Sequence, residues 1–257
     1  MSVFTSSQIH TNLFKAVFSI LLVSVAIIAI FWFSLSRIGI AFDFSFIPNV
    51  SARIWDGFLM TLALSICSLF VSLILGVSSA VLQQSNILAF RYLSKLYVAA
   101  IRGTPLIMQI YLFFYIVGTA FGVENRFASG VFILSVFEGA YISEIIRGSL
   151  ISMDGTQLEA AKAVGFTKKQ TITLIILPQL VARTLPALTG QFASIIKDSS
   201  LLSMIAVIEL TQTMREISAT NFKLFECYLF LGVLYLALTL PITLVSKRLE
   251  RGFTYES

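Results

Sequence analysis

Arg102, Thr104, Glu138, Glu144, Lys197 and Asp198 stand within or at the edges of long apolar runs. An ionisable group at bilayer depth is costly unless it is paired or wet, so each is a candidate for handling a solute or ion. Glu138 lies about 16 Å along a helix that opens at Phe127, at 1.5 Å per residue, near a midplane and with no partner at helical spacing. It fits either a ligand for an ammonium-bearing or otherwise cationic solute, or an interhelical pair with Lys197 or Arg102. Glu144 follows about 240° further round, so the two carboxylates do not share a face. Glu144 and Arg147 are spaced to pair along one helix. Arg102 can snorkel to an interface, and Gly103-Thr104-Pro105 predicts a kink with freed carbonyls. Lys197-Asp198-Ser199-Ser200 interrupts the apolar segment from Leu180 to Leu210, and Asp198 or Ser199 can cap a fresh helix near Leu201. Broken helices of this kind build transporter sites near the midplane; equally, a Lys197–Asp198 pair ties the break to a neighbour. His10 is the single histidine and lies in the polar N-terminal tail, which removes His-based metal binding and Ser-His catalysis. Cys67 and Cys227 sit in apolar runs and read as small apolar filler rather than a disulfide.

The elements that must position these groups are membrane spans. The chain is 57% apolar and 12% charged, with a mean hydropathy of +0.91. Soluble domains carry about 25% charged residues, so a soluble enzyme, a disordered chain and a nucleic-acid binder are excluded. A span needs about 20 mostly apolar residues. Six runs qualify: Leu13 to Leu35, Gly57 to Leu82, Tyr97 to Val123, Phe127 to Ile146, the broken Leu180 to Leu210, and Leu224 to Val245. The first reads as a retained span, not a cleaved signal peptide. The expected fold is all-α, a polytopic transmembrane helical bundle. Residues 1–50 hold a tail, the first span and an external loop, and residues 51–257 form the main membrane domain. Basic residues gather in the loops with Arg91 and Lys95, with Lys162, Lys168, Lys169 and Arg183, and after the last span at Lys247, Arg248 and Arg251. The positive-inside rule then places both termini in the cytoplasm and accounts for the net charge of +5. Glu209 falls at the outer end of the fifth segment, and the amphipathic stretch Thr211 to Lys223 faces outside. Trp32, Trp55, Tyr97, Tyr235 and Tyr255 are candidates for interfacial anchors.

The largest cytoplasmic insertion runs from Arg147 to Pro178. Within it, residues 157 to 164 favour a short helix capped by Asp154 or Thr156 and ended by Gly165. A second helix from Thr167 to Leu177 is expected to be interrupted by Pro178. Glu159-Ala160-Ala161 gives a low-relief surface that another protein can approach. Glu-Ala-Ala, three residues, Gly165, nine residues, then Ile175-Ile176-Leu177-Pro178 resembles the signature loop of permease subunits of bacterial ATP-binding-cassette importers. Ile101 to Leu106, Ala140 to Gly148, Ile196 to Leu202, Leu240-Pro241 and Leu249-Glu250-Arg251 are similar to the polar amino-acid branch of that family, histidine/glutamine/arginine-type. The resemblance spans roughly Trp55 to Arg251; the first 50 residues lie outside it, and the extra first helix departs from relatives with five spans.

The resemblance implies a type I importer permease of about six spans in the bacterial cytoplasmic (inner) membrane. It would carry a polar or basic amino acid by alternating access and would itself be no enzyme. Residues 148–178 would form a coupling loop, with Glu159, Ala160, Ala161 and Gly165 seated on a separate ATPase subunit. Arg102, Thr104, Glu138, Glu144, Lys197 and Asp198 would line the substrate pathway. The implied partners are that ATPase, an extracytoplasmic amino-acid-binding protein, a second permease copy or homologous permease, and the lipid bilayer, with no nucleic acid. No cofactor or metal is expected on this chain; ATP-Mg would be used by the partner, consistent with the lack of a Gly-x4-Gly-Lys-Ser/Thr loop. Two rival readings stay open: an ion-coupled secondary transporter of small polar solutes, using a carboxylate such as Glu138, and a membrane scaffold that docks proteins on the same loop.

Overall fold

A computed structural model describes residues 13–39 and 42–253; the tail with His10 and the candidate anchor Tyr255 lie outside the described residues. All regular structure among the described residues is helical. The chain divides into two compact units, Met1–Asp43 and Phe44–Ser257. In the first, α1 (Leu13–Ile38) is one unbroken helix, and its large apolar side chains such as Ile20, Leu21, Ile30 and Trp32 are exposed. A helix apolar all round and exposed all round needs lipid as its solvent.

The second unit is a bundle built on α2 (Ile47–Gln83) and α5 (Arg126–Ile151), which form its most extensive helix–helix contact. Along α2, Gly57, Thr61, Ser65, Ser68, Ser72, Gly76 and Ser79 recur at three- and four-residue spacing, and all are buried. Lipid tails are as apolar as leucine, so helices in a bilayer gain by close approach through small residues rather than by hiding grease. Gly76 lies so close to α5 that a Cβ there would stand 2.5 Å from Ile142 Cγ2 and 3.1 Å from the Gly139 carbonyl. Hydroxyls provide the polar part of the contact. Ser79 Oγ and Ser94 Oγ are 2.7 Å apart, Ser143 Oγ donates to Ser79 Oγ at 3.0 Å, and Gln83 Nε2 donates to Ser143 Oγ at 3.0 Å.

Five of the described helices are long and apolar enough to cross a membrane, or six if α3 (Leu88–Arg102) and α4 (Leu106–Tyr111, prolonged by a π-helical turn Leu112–Gly118) count as one. The kink expected at Gly103-Thr104-Pro105 is present and sharp, a bend of 111°, so the run expected from Tyr97 to Val123 is a broken span that begins earlier, at Leu88. Proline cannot donate to the preceding turn, and Pro105 instead starts α4 in an extended conformation (φ −65°, ψ 140°). Tyr97 is no surface anchor; it is partly buried and donates from its hydroxyl to the Val136 carbonyl at 2.6 Å.

The loop after α5 carries α6 (Gly155–Ala163), then α7 (Lys168–Gln170), a π-helical turn (Thr171–Ile176) and α8 (Leu177–Asp198). Pro178 does not interrupt a helix as expected. It occupies the first turn of α8, where its missing N–H is tolerated, and the preceding π-helical turn carries the chain into it. After Asp198 the chain tightens into a 3₁₀ run, Ser199–Ile205, ended by Ala206 in the left-handed region at φ 53°. The expected cap at Lys197-Asp198-Ser199-Ser200 is also corrected: neither Asp198 nor Ser199 caps a fresh helix, and Ser199 Oγ donates back to the Ile196 carbonyl at 2.7 Å. α9 (Leu210–Asn221) and α10 (Leu224–Phe253) complete the unit. Ile54 of α2, Met214 and Ile217 of α9 and Leu231 of α10 share one apolar core.

Candidate functional site

The charged groups singled out in the sequence fall into two clusters on different faces of α5, as their spacing requires. Glu138 is fully buried. Its expected partners, Lys197 and Arg102, are not the ones it finds. The Gln191 amide of α8 donates to Glu138 Oε2, the Asp198 carboxyl is a near neighbour, and Glu138 Oε1 has no donor. Lys197 is exposed beside the pair, because one residue along a helix turns a side chain by about 100°. Gln191 was missed in the sequence. The signal was present: Gln191 and Asp198 are seven apart, two turns along one face of α8.

The second cluster joins α3 to α5. Glu144 pairs with Arg147 along its own helix and with Arg102 Nη1 at 3.3 Å, and the Arg102 guanidinium lies 5.3 Å from the centre of the Tyr141 ring. Arg102 remains exposed, and a carboxylate and an aromatic face hold it at the last turn of α3. Thr104 sits in the elbow between α3 and α4. Its hydroxyl donates to the Ala100 carbonyl at 2.8 Å and accepts from Gln109 Nε2 at 2.8 Å. The same amide reaches the Ile101 and Thr104 carbonyls at 2.8 and 3.2 Å, so Gln109, also missed in the sequence, fills the acceptors that the break exposes.

On the far side of the unit from the α5 N-terminus, α6 forms as its caps require. Asp154 Oδ1 accepts from the Thr156 amide at 2.9 Å, which holds its carboxyl below the usual range. Gly165 ends the segment at φ 79°, a conformation that favours glycine. Glu159, Ala160 and Gly165 are exposed, whereas Ala161 is covered by its own chain. The pair of alanines is therefore split: one faces outward and the other seats the helix. Gln179 Nε2 donates to Gln157 Oε1 at 2.6 Å and Arg183 Nη1 to the Ser152 carbonyl at 2.6 Å, fastening the loop to the start of α8. Thr167 and Gln170 form a reciprocal capping box at the head of α7. Thr167→Ala is expected to weaken that turn by about 1 kcal/mol, read as roughly fivefold faster amide exchange just after residue 167 with global melting unchanged.

At the opposite end, Glu209 is fully buried and caps α9, accepting from the Thr211 and Gln212 amides at 2.8 Å each and from the Tyr235 hydroxyl at 2.9 Å. Tyr235 is accordingly a packing residue and not a free anchor. Arg53 Nη2 donates to Glu216 Oε2 at 2.8 Å, joining α2 to the polar face of α9.

Two charged clusters beside broken helices, and a small capped helix carried between α5 and α8, are the features to set against known proteins. The family described as "Binding-protein-dependent transport system inner membrane component" matches residues 72–255. The chain is 33% identical over 202 residues to the probable glutamine ABC transporter permease protein GlnM of Bacillus subtilis, covering 77% of this chain and 94% of that one. It is 37% identical over 209 residues to the L-cystine transport system permease protein TcyB of Bacillus subtilis, covering 80% and 87%. A solved structure described as an amino acid ABC transporter with histidines superposes with a TM-score of 0.77 at 30% identity, covering 82% of this chain and 99% of that chain. An inward-facing MetNI methionine ABC transporter structure shares the fold, with a TM-score of 0.69 at 18% identity over 80% of this chain and 99% of that one. With the matched region running from the middle of α2 to the end of α10, this multi-pass chain belongs to the inner-membrane components of binding-protein-dependent transport systems, a permease subunit of the ABC importer class.

Proposed function

We infer that this permease imports an amino acid, polar or basic, by alternating access driven by a separate ATPase subunit. The amino-acid class follows from its relatives, named for glutamine and L-cystine. The observation that carries the mechanism is the placement of α6: it is exposed at Glu159 and Ala160, closed by Gly165, and joined to α5 through residues 152–154 and to α8 through α7 and the π-helical turn. A push on this helix is transmitted to both. α5 and α8 are also the two helices between which Glu138, Gln191 and Asp198 meet, so both helices that the lever moves carry the contact that must open for passage.

In this reading Glu159, Ala160 and Gly165 meet the ATPase, and Ala161 holds the helix on its own chain. Glu138 and Asp198 receive a positive group of the substrate as α5 and α8 part. Arg102 and Glu144, with Thr104 at the elbow, control the angle between α3 and α4, and Lys197 faces the pathway at the break. The chain supplies no catalysis and holds no cofactor; ATP-Mg is consumed by the partner. Both termini lie in the cytoplasm, an extracytoplasmic amino-acid-binding protein docks against the side bearing α9, and a second copy or homologous permease encloses the pathway.

The test is reconstitution in liposomes with a candidate ATPase subunit and a candidate amino-acid-binding protein. Uptake of radiolabelled amino acids is expected only with ATP, the ATPase and loaded binding protein together. Uptake that follows an imposed ion gradient without ATP would establish secondary transport instead, and uptake under neither condition would leave a scaffold.

A further inference from the structure

Where the π-helical turn meets the first turns of α5, the unit carries a cavity of about 470 Å³. It lies at the end of α5 opposite α6. Its walls are Phe113, Phe121, Phe132, Val117 and Ile133, and its one polar side chain is Ser129. Ser129 is buried, and its Oγ has no hydrogen-bond partner. A helical serine ordinarily donates back to the carbonyl one turn earlier; this one leaves its hydroxyl unsatisfied inside an apolar recess. Pockets of several hundred Å³ with apolar walls and few polar groups are the usual form of a ligand site.

The order of groups along α5 says what ligand fits. Arg126, Ser129 and Phe132 are spaced by three, so each neighbours the next along an oblique ridge of the helix, although Arg126 and Phe132 stand about 120° apart around it. Successive steps descend about 4.5 Å at 1.5 Å per residue. Arg126 is exposed at the first turn, with Nη1 3.4 Å from the Ala206 carbonyl. The helix N-terminus beside it, capped by Asn125 Oδ1 on the Ala128 amide at 3.0 Å, adds positive potential. Cation, hydroxyl and aromatic wall thus follow one another from the interface inward. A phospholipid presents phosphate, ester carbonyl and acyl chain in that same order.

We propose that this groove is a phospholipid site, with the phosphate beside Arg126, an ester carbonyl accepting from Ser129 Oγ, and one acyl chain between Phe113, Phe121 and Phe132. The lipid belongs to the leaflet opposite α6. It braces the π-helical turn against α5, and it does not depend on which solute is carried.

Native mass spectrometry of the purified permease in detergent, supplied with phosphatidylglycerol or with diacylglycerol, tests this. One phosphatidylglycerol is expected to stay bound per chain in preference to diacylglycerol. Ala128→Trp, which fills the groove from an exposed position, is expected to lower retention by about tenfold or more, as loss of one well-buried apolar contact implies. Ser129→Ala should weaken retention of both lipids, and Arg126→Gln should abolish the preference between them. Unchanged melting of each variant shows that the fold is intact. Equal retention in wild type and Ala128→Trp overturns the site. So does efficient cross-linking of two copies through Phe121→Cys in a Cys67→Ser background with no lipid retained, which would make the groove a contact between chains.

Discussion

Glu159→Lys is expected to abolish ATP-driven uptake while leaving the protein inserted and folded. Glu159 is exposed on α6 and makes no hydrogen bond or ion pair that holds the fold, and substitutions at such positions change stability by only about 0.5 kcal/mol. At the centre of a contact with a partner, reversing a charge is another matter. Truncating a central contact costs about 2–4 kcal/mol, and a like-charge clash adds to it, so uptake should fall roughly a hundredfold or more. The ATPase should no longer copurify, or should hydrolyse ATP without response to loaded binding protein. Ala161→Lys is the contrasting variant: that position is buried, so the charge should disturb the loop itself and show as faster amide exchange across α6. Wild-type uptake by the Glu159→Lys permease would remove α6 from the drive train.

Gly76→Leu is the second large effect, and it acts on the fold. A Cβ alone would stand 2.5 Å from Ile142 Cγ2, 2.7 Å from Ile142 Cβ and 3.1 Å from a backbone carbonyl of α5. The first two neighbours belong to a fully buried side chain and the third cannot move without the helix. Overpacking a core costs about 1–3 kcal/mol and sometimes more; here the added chain must push apart the two helices on which the bundle is built. The expected result is a lower melting temperature in detergent and a severalfold loss of monodisperse protein, with Gly76→Ala intermediate. Because the clash is with one side chain, Ile142→Ala combined with Gly76→Leu should recover part of the loss, the coupling expected of residues in contact. Melting of Gly76→Leu at the wild-type temperature would mean that α2 and α5 do not pack this closely.

Much of this was legible before any coordinates. A hydropathy of +0.91 with 12% charge leaves no class but a membrane protein. Asp154 and Gly165 bound α6 for local reasons, a side chain that caps and a residue that takes positive φ, and both act as their types predict. The 240° between Glu138 and Glu144 correctly assigns them to different neighbours. Even the Gly57-to-Ser79 stripe of small residues is a pattern of spacing, although its meaning depends on the solvent being lipid.

What spacing along one helix cannot supply is the identity of the residue facing it from another. Glu138 meets Gln191 and Asp198 rather than Lys197, and Arg102, while still exposed, meets Glu144 and Tyr141. Both outcomes turn on the depth and rotation at which α3, α5 and α8 pack. One residue of register on α8 would exchange Asp198 for Lys197 at the contact, and no local preference distinguishes the two. The 111° elbow has the same character: proline permits a bend, but the packing of α4 against α5 and the three acceptors gathered by Gln109 set its angle. Local chemistry decided where helices begin, end and break; the packing of helix against helix decided which charges meet.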